Sequence, residues 1–448
     1  MKQNDERGTA TFLVAFILLW ASAAQAQQEV VLGARANILQ RLDIAVQPFV
    51  PDSPSMRSAV GDTISRVLIR DLKLSGVFNV IDLSVTVRDT TGQVLLAFVD
   101  SKGRVDFDVL RKTPARLLVS GRYQVRNPQI EMTLDLTDVQ SRRVSTSKGY
   151  AAFDITLRRV VHRMADDVVR QLTGEEGIAQ TRIAFVSDRT GQTELYLADY
   201  DGFNVRRLTN DRSILLFPRW SPDGSRIAYT SYRDGNRALY VANVQTGETK
   251  KVSTGGHPVI SPAWSPDGRR LTFGLTIEGS TQLYLCNADG SELRPLTSMF
   301  GDQLAPSWSP QGNQLAFTSS RTGLPQVYVM DADGLNERRL TFDGNYNDSS
   351  AWSPKGDRIA FVSRDPGGFF NIYTIDVNGD NLLKLTDNMG SNENPSWSPD
   401  GLHLLFSSNR TGRYEIYTMN WDGTGVYRVT LGGGDNITPS WGPRPGGK

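Results

Sequence analysis

Residues that could carry catalytic chemistry are few in this chain of 448 residues, and they lie far apart in the sequence. The histidines are His162, His257 and His403, so no two of them have the close spacing of a zinc-binding pair. The chain also lacks the G-x-S-x-G elbow of α/β-hydrolases and the P-loop of nucleotide-consuming enzymes. These absences predict a protein that is not an enzyme.

Acidic residues offer a second kind of chemistry. Each of four acids precedes a tryptophan that recurs along the chain, and carboxylates are ligands that calcium prefers. The four are Asp302, Asp348, Glu393 and Asp435. The four acids stand at different sequence separations from their tryptophans, so we do not expect their side chains to lie at the same depth in one site. We therefore expect no cofactor, or at most a structural calcium ion. If these acids instead bind a catalytic metal ion, the alternative function is that of an exported β-propeller hydrolase or lactonase with the metal in its central channel.

Two other residues have a structural interpretation. Cys286 is the only cysteine and lies in a strand-like stretch, which predicts a buried, unreactive thiol and no internal disulfide. His162 lies within an amphipathic helical pattern. We expect its side chain at the surface or edge of that helix, and not as a metal ligand.

The element that must position any site is a repeat built around tryptophan. Successive copies stand 44, 44, 44, 45 and 44 residues apart, and most are followed by Ser-Pro-Asp-Gly or a close variant. A period in the forties with one tryptophan per unit indicates a β-propeller. The tryptophans are Trp220, Trp264, Trp308, Trp352, Trp397 and Trp441.

Each period contains four strand-like segments separated by turn signals such as Ser-Pro-Asp-Gly and Arg-Thr-Gly. The first apolar strand, at Ile183, and the last tryptophan strand, at Trp441, are each left without a neighbour. We predict that these two strands pair, which closes a ring of six four-stranded blades without a free edge. In that ring, the loop before each tryptophan strand and the Arg-x-Gly turn share one face. The Ser-Pro-Asp-Gly and Asp-Gly turns lie on the other face.

The loops before the tryptophan strands vary while the strands repeat, as expected of a scaffold with a variable surface. They converge on one mouth of the central channel. Their mixture of apolar residues, amides and acids suits a partner that inserts a mixed segment, although solvated loop tips have a similar composition. The predicted partner-binding residues are Leu215, His257, Val259, Gln303, Leu304, Tyr346, Asn347, Asp348, Asn392, Glu393 and Asn436. A lectin-like module would need sugar-stacking aromatic residues at this mouth, where only Tyr346 offers itself.

Residues 42–173 predict a separate α/β domain, because strand and helix patterns are intermixed there. The strand patterns lie at 42–49, 78–81, 116–125 and 130–139. The helical patterns run over 58–74 and 157–172, and each is followed closely by a glycine. Residues 174–180 are predicted to be a linker, and residues 181–448 the propeller.

The first residues have the pattern of an export signal. Lys2 and Arg7 precede an apolar run at 12–20, and an Ala-Gln-Ala cleavage site follows. Residues 1–26 are therefore predicted to be a signal peptide, followed by an extended N-terminal peptide at 27–41. The net charge of +1 does not favour binding to nucleic acid or direct attachment to an anionic membrane.

With an export signal, an α/β domain and six W-S-P-D-G blades in that order, the chain resembles the TolB family of the Gram-negative Tol–Pal envelope system. The resemblance implies a periplasmic, monomeric adaptor that is not an enzyme. It implies that the channel mouth binds the lipoprotein Pal and that the N-terminal peptide binds the inner-membrane protein TolA. Such an adaptor supports outer-membrane integrity and constriction at cell division. Carried onto this sequence, the TolA-binding role falls on Glu29, Val30, Val31 and Leu32.

Overall fold

An α/β domain and a β-propeller make up the part of the chain that the structure describes. The structure, a computed structural model, describes residues 41–53, 59–84, 87–88, 94–96, 98–99, 104–387 and 389–446. The predicted signal peptide and all but the last residue of the predicted N-terminal peptide lie outside these residues.

A six-stranded mixed sheet forms the centre of the α/β domain. Leu42–Val46 runs parallel to both of its neighbours, and Leu117–Arg126 begins an antiparallel meander of three long strands. The strands of this sheet are Leu42–Val46, Val50–Pro51, Phe78–Asp82, Leu117–Arg126, Gln129–Asp138 and Val144–Phe153, and a separate hairpin pairs Val87–Arg88 with Val94–Leu96. Strands are present at all four predicted positions, and Val144–Phe153 is an edge strand that the sequence patterns did not predict.

Helices cover both faces of the sheet. Helix α1 (Ala59–Leu74) is followed by the short helix α2 (Phe107–Leu110), the 3₁₀ turn Asp154–Thr156 and helix α3 (Leu157–Thr173). The apolar sides of α1 and α3 share one core with alternate residues of the sheet, while α2 packs with residues of the opposite face. Helix α3 ends at Gly174, whose φ of 78° is left-handed and suits a residue without a side chain.

Six four-stranded antiparallel sheets form the propeller, as predicted. Blade 1 consists of Asn436–Trp441, Arg182–Ser187, Glu194–Asp199 and Arg206–Arg207; blade 2 of Leu215–Trp220, Arg226–Ser231, Ala238–Asn243 and Thr249–Lys251; and blade 3 of Val259–Trp264, Arg270–Ile277, Ser280–Asn287 and Arg294–Pro295. Blade 4 consists of Gln303–Trp308, Gln314–Ser319, Gln326–Asp331 and Arg338–Arg339; blade 5 of Asn347–Trp352, Arg358–Arg364, Phe370–Asp376 and Leu383–Lys384; and blade 6 of Asn392–Trp397, His403–Ser408, Glu415–Asn420 and Tyr427–Arg428. The tryptophan strand comes first in each blade, and together the six tryptophan strands surround a cavity on the propeller axis.

The ring closes through blade 1. Asn436–Trp441, from the C-terminal end, pairs antiparallel with Arg182–Ser187, and Trp441 stands opposite Ile183. This pairing confirms the predicted closure with one strand from the C-terminus and three from the start of the repeats. The innermost edge of the first repeat is therefore covered by the last strand of the chain.

Every innermost strand has the same irregularity at its third residue. Pairing with the next strand shifts register there, which makes a β-bulge. The third residues are Phe217, Ser261, Ala305, Ser349, Asn394 and Thr438, with φ between 45° and 56°. None is a glycine, and the left-handed conformation costs most such residues about 1–2 kcal/mol, although asparagine tolerates it better. The bulge therefore recurs at the same position in all six innermost strands.

The tryptophans join neighbouring blades. The indole Nε1 of Trp264 donates to the carbonyl oxygen of Arg219 in the preceding blade at 3.1 Å. Trp397 donates in the same way to Ala351 at 2.9 Å. The large indole rings thus fill the seams between innermost strands. The indole N–H groups of Trp308 and Trp352 are buried without a hydrogen-bond partner among the described residues. Cys286 is buried within blade 3, as predicted, and burial raises the pKa of its thiol to about 12.

The prediction that His162 lies at a surface or edge was wrong. Its side chain is 3% exposed, and its Nδ1 lies 2.7 Å from Oδ2 of Asp71 on helix α1. The hydroxyl of Tyr200, from blade 1, donates to the other oxygen of Asp71 at 2.8 Å. The propeller covers the side of helix α3 that carries His162. A helical pattern alone could not show that burial.

A second polar contact crosses the same interface. Asp201, in the turn that follows the second repeat strand, is buried and lies 2.5 Å from Nη2 of Arg158 on helix α3. Arg158 also lies over the ring of Phe203, 4.0 Å from its centroid. The segment predicted to be a linker is packed as well, because the backbone N–H of Ala179 donates to Asp166 at 2.8 Å. The α/β domain is therefore fixed to the propeller by buried contacts.

Candidate partner-binding face

The antiparallel order of the blades places two sets of turns at the same end of the propeller. These are the loops before the innermost strands, at 208–214, 252–258, 296–302, 340–346, 385–387 with 389–391, and 429–435, and the turns after the second strands, at 188–193, 232–237, 278–279, 320–325, 365–369 and 409–414. We call this end the pre-tryptophan face. The contacts with the α/β domain described above involve turns of the opposite end, such as the turn that contains Asp201.

Six of the eleven predicted partner-binding residues have side chains inside the propeller. Each is the first residue of an innermost strand: Leu215, Val259, Gln303, Asn347, Asn392 and Asn436. All six are at most 1% exposed. A side chain at this position points between strands instead of into the mouth, so burial argues against direct contact with a partner.

The buried amides support the face from inside. Oδ1 of Asn436 accepts a hydrogen bond from Nη2 of Arg189 at 2.8 Å, and its Nδ2 donates to Glu415 at 2.9 Å. In blade 6, Asn392 accepts in the same way from Arg410 at 2.7 Å. These arginines belong to the Arg-x-Gly turns. In blades 1 and 6 the network therefore connects the turn to the start of the innermost strand, which preorganises this part of the face.

The other predicted residues are accessible. His257 is exposed, and Leu304, Tyr346, Asp348 and Glu393 are partly exposed. The hydroxyl of Tyr346 donates to Asp348 at 3.2 Å. Burial and the charge of Asp348 raise the pKa of Tyr346 above its ordinary value, so its hydroxyl stays protonated at neutral pH. Because the single O–H of Tyr346 is donated to Asp348, this part of the rim presents oriented acceptor oxygens.

The four acids proposed as calcium ligands already accept hydrogen bonds from other groups of the protein. Asp302 accepts from the backbone N–H of Thr281 at 2.9 Å, and Asp435 accepts from that of Tyr414 at 2.9 Å. Glu393 accepts from the hydroxyl of Tyr414 at 2.5 Å. In the part of the chain that the structure describes, these acids do not form a group of three with ligand atoms close enough to share an ion. A calcium ion here would need backbone carbonyls or water as further ligands, and it stays a prediction.

The group that does meet this distance test lies at the domain interface. His162, Asp199 and Asp201 place one ligand atom each within 4.8 Å of one another. Asp201 is already paired with the guanidinium groups of Arg158 and Arg70. Two neighbouring positive charges oppose the entry of a metal cation, so this group is a poor fit for a metal ion.

Sequence reasoning missed a set of exposed apolar side chains on the pre-tryptophan face. They are Ile214, Met299, Phe300, Phe342, Met389 and Leu431, joined by Leu324 and Phe369 on the Arg-x-Gly turns. Phe300, Leu431 and Phe342 are 85%, 81% and 72% exposed. Most follow the Leu-Thr or Val-Thr pair that ends each blade by one to three residues. This position, directly after the pair, was the sequence signal that could have identified these residues. An exposed apolar set around a polar mouth is typical of a surface that binds another protein.

The predicted TolA-binding residues, Glu29, Val30, Val31 and Leu32, lie outside the described residues. No helix among the described residues combines the length and the apolar character needed to cross a bilayer.

Comparison with known families identifies both domains. The profile of the TolB beta propeller domain matches residues 169–370 and 351–447, which together make up more than half of the chain. The profile of the TolB amino-terminal domain matches residues 34–144.

Similar proteins carry the same family name. A Tol-Pal system protein TolB from Syntrophotalea carbinolica is 40% identical over 218 residues, which is 49% of this chain and 49% of that protein. Another from Geobacter sulfurreducens is 37% identical over 220 residues, 48% of each chain. The chain thus spans about half the length of the curated relatives it matches.

The whole architecture has a solved counterpart. The crystal structure of TolB from Acinetobacter baumannii superposes with a TM-score of 0.76 at 25% identity, covering 90% of this chain and 97% of that one. Both domains and their order are therefore shared. On the domain profiles, the relatives and this structure, the chain belongs to the TolB family.

Proposed function

We propose that this protein is a periplasmic, non-enzymatic adaptor of the Tol–Pal envelope system. It acts as a monomer and binds the lipoprotein Pal through the pre-tryptophan face, while the segment that contains residues 29–32 binds TolA. This bridge supports outer-membrane integrity and constriction during cell division. Membership of the TolB family and the names of the relatives support the assignment to this system.

The observation that carries the Pal-binding proposal is the concentration of exposed apolar side chains on the pre-tryptophan face. Phe300, Phe342 and Leu431 come from blades 3 and 4 and from the loop that leads into the closing strand, so they stand around the mouth instead of in one loop. Buried aromatic anchors supply most of the binding free energy in protein interfaces. The mouth itself adds the hydroxyl of Tyr346 and the carboxylates of Asp348 and Glu393 as polar partners.

Calorimetry with a purified Pal periplasmic domain tests this proposal. Phe300→Ser, Phe342→Ser and Leu431→Ser should each weaken binding by about tenfold or more, because each removes an apolar anchor worth about 2 kcal/mol. Their thermal stability should stay close to that of the parent, since these side chains are exposed in the free protein.

Leu335→Ser is the matched control. Leu335 is 62% exposed but lies in an Asp-Gly turn at the opposite end of the propeller, so this variant should bind Pal as the parent does. The proposal fails if Leu335→Ser weakens binding as much as the three face variants do, or if those three bind within twofold of the parent.

The TolA-binding part of the proposal has its own test. A TolA domain should capture the mature full-length chain from solution and fail to capture a chain that lacks residues 27–39. Pal binding should be the same for both chains, because the truncation leaves the propeller intact. Equal capture of both chains by TolA would refute the role of this segment.

A further inference from the structure

A cavity of about 300 Å³ lies on the propeller axis where the innermost strands meet the Ser-Pro-Asp-Gly turns. This end is opposite the pre-tryptophan face, and the proposed function does not use it. All six repeat tryptophans line the cavity, together with prolines of the turns. The fifth residue of each innermost strand completes the wall: Arg219, Ala263, Ser307, Ala351, Ser396 and Ser440.

Arg219 is the only charged residue among the described residues that line this cavity. Its Nη1 donates to the carbonyl oxygen of Pro218 at 2.9 Å, and neither its Nε nor its Nη2 has an acceptor in the described part of the chain. Burial lowers the pKa of Arg219 to about 10, and no carboxylate counteracts that effect. The side chain of Arg219 is partly buried and makes no ion pair with a described residue, so an anion bound beside its guanidinium would stabilise the folded protein.

Serine hydroxyls add further donors to the same ring. Oγ of Ser307 accepts from the backbone N–H of Trp352 at 2.9 Å, and Oγ of Ser396 accepts from that of Trp441 at 3.0 Å. These bonds orient both hydroxyls, and neither O–H has an acceptor among the described residues. Arg219, Ser307 and Ser396 belong to blades 2, 4 and 6, so the three donors surround the axis at regular intervals.

We propose that this cavity binds a small organic carboxylate, with its oxygens held by the guanidinium of Arg219 and the hydroxyls of Ser307 and Ser396. A guanidinium presents two parallel N–H donors that match the two oxygens of a carboxylate. One positive charge neutralises a singly charged anion, whereas a dianion would leave an excess negative charge in the cavity. The tryptophan and proline walls accept the apolar body of such a ligand, and the cavity volume lies at the lower end of the range for small-ligand pockets.

Sodium benzoate is a suitable probe, because it joins one carboxylate to a flat apolar ring. We expect benzoate to bind the full chain in calorimetry, to quench tryptophan fluorescence and to raise Tm above the value in sodium chloride of equal ionic strength. Arg219→Ala should lower the affinity about tenfold or more, and Arg219→Lys should lower it less, because lysine keeps the charge but not the planar pair of donors. Blades 3 and 5 already carry alanine at this position, so Arg219→Ala should fold.

Arg207→Ala is the control for net charge, since Arg207 is exposed on an outermost strand. It should bind benzoate as the parent does. Several results would overturn the proposal: no binding of benzoate by the parent, binding to Arg219→Ala within twofold of the parent, or stabilisation by inorganic phosphate and not by benzoate. The last result would assign the cavity to a phosphate instead. Pal binding is expected to be unchanged in Arg219→Ala, which keeps this test separate from that of the proposed function.

Discussion

At the scale of single residues, the contact between the two domains depends on protons held around His162. Burial alone would lower the pKa of His162, but the hydrogen bond and charge of Asp71, with the charges of Asp201 and Asp199, raise it above its ordinary value. Burial raises the pKa of Asp71 to about 6, although His162 and Tyr200 partly oppose this. The folded protein therefore holds protons that the unfolded chain releases. The contribution of His162 and Asp71 to stability therefore falls as pH rises through their folded pKa values.

This linkage gives a prediction for His162→Gln. The imidazolium stabilises the folded state fully below the pKa of an unfolded histidine, and that stabilisation is lost as pH rises through the raised folded pKa. At about pH 6 the substitution should lower the free energy of unfolding by about 2 kcal/mol, the usual value of a hydrogen bond to a charged group. At about pH 9 the difference should be clearly smaller. Urea unfolding at a series of pH values measures it.

His257→Gln is the control for this series, because His257 is exposed in a loop of the pre-tryptophan face. Its effect on unfolding should be small at every pH. A difference between the parent and His162→Gln that stays constant or grows with pH would contradict the charged pair.

Residue-scale roles were the least predictable from the sequence. Asn436 and Asn392 were predicted to be partner contacts because they stand just before a repeat tryptophan. In the structure each is the first residue of a strand, and its amide pairs with a turn arginine inside the blade. Position within a loop is visible in a sequence, but the direction of a side chain at a strand end depends on the neighbouring strands.

At the scale of elements, the bulge in each innermost strand imposes the same backbone on different residues. In blade 6 the bulge residue is Asn394, with a φ of 56°, and asparagine tolerates the left-handed region. In blade 1 it is Thr438, with a φ of 45°, whose branched side chain is poorly suited to that region. The hydroxyl of Thr438 is also buried without a hydrogen-bond partner among the described residues. Blade 1 therefore holds strain that blade 6 avoids.

Exchanging these two residues tests the strain. Thr438→Asn should raise the free energy of unfolding by about 1 kcal/mol, and Asn394→Thr should lower it by a similar amount. Chemical denaturation of both variants beside the parent measures the pair. Opposite signs are the expected result, and a shift in the same direction for both would show that the bulge conformation does not determine their stability.

Strand and helix elements followed from periodicity where a buried face repeats. Helices α1 and α3 carry apolar residues at helical spacing because each buries one side in the core of the α/β domain. The edge strand Val144–Phe153 escaped prediction because most of its side chains are exposed, and only Tyr150 and Ala152 face the core. Such a strand is stabilised by pairing along Gln129–Asp138, which leaves little trace in its own composition.

At the scale of the whole molecule, one strand determines whether the ring is closed. Asn436–Trp441 supplies the innermost strand of blade 1, and its tryptophan packs in the core that also contains residues of the α/β domain. This topology followed from counting segments, because the sequence contains one unpaired strand at each end of the repeats. The contact between domains did not, since no periodicity marks a surface that another domain covers.

Removing this strand should therefore destabilise the entire propeller. A chain that ends at residue 433 exposes the edge of Arg182–Ser187 and loses the indole of Trp441, and we expect its Tm to fall by about 10 °C or more. Differential scanning calorimetry measures the change. A synthetic peptide of residues 434–446 should restore part of the loss, and a truncated chain that melts within about 2 °C of the parent would contradict closure by this strand.

The central claim, that the pre-tryptophan face binds a Pal-type protein, is tested most directly by amide hydrogen exchange of the full chain with and without a Pal domain. Residues in the loops at 296–302, 340–346 and 429–435 should exchange more slowly in the complex, because a bound partner excludes water from their backbone. The Ser-Pro-Asp-Gly turns at the other end should exchange at the same rate in both states. Protection confined to those turns or to the α/β domain, with the loops unchanged, would contradict the account.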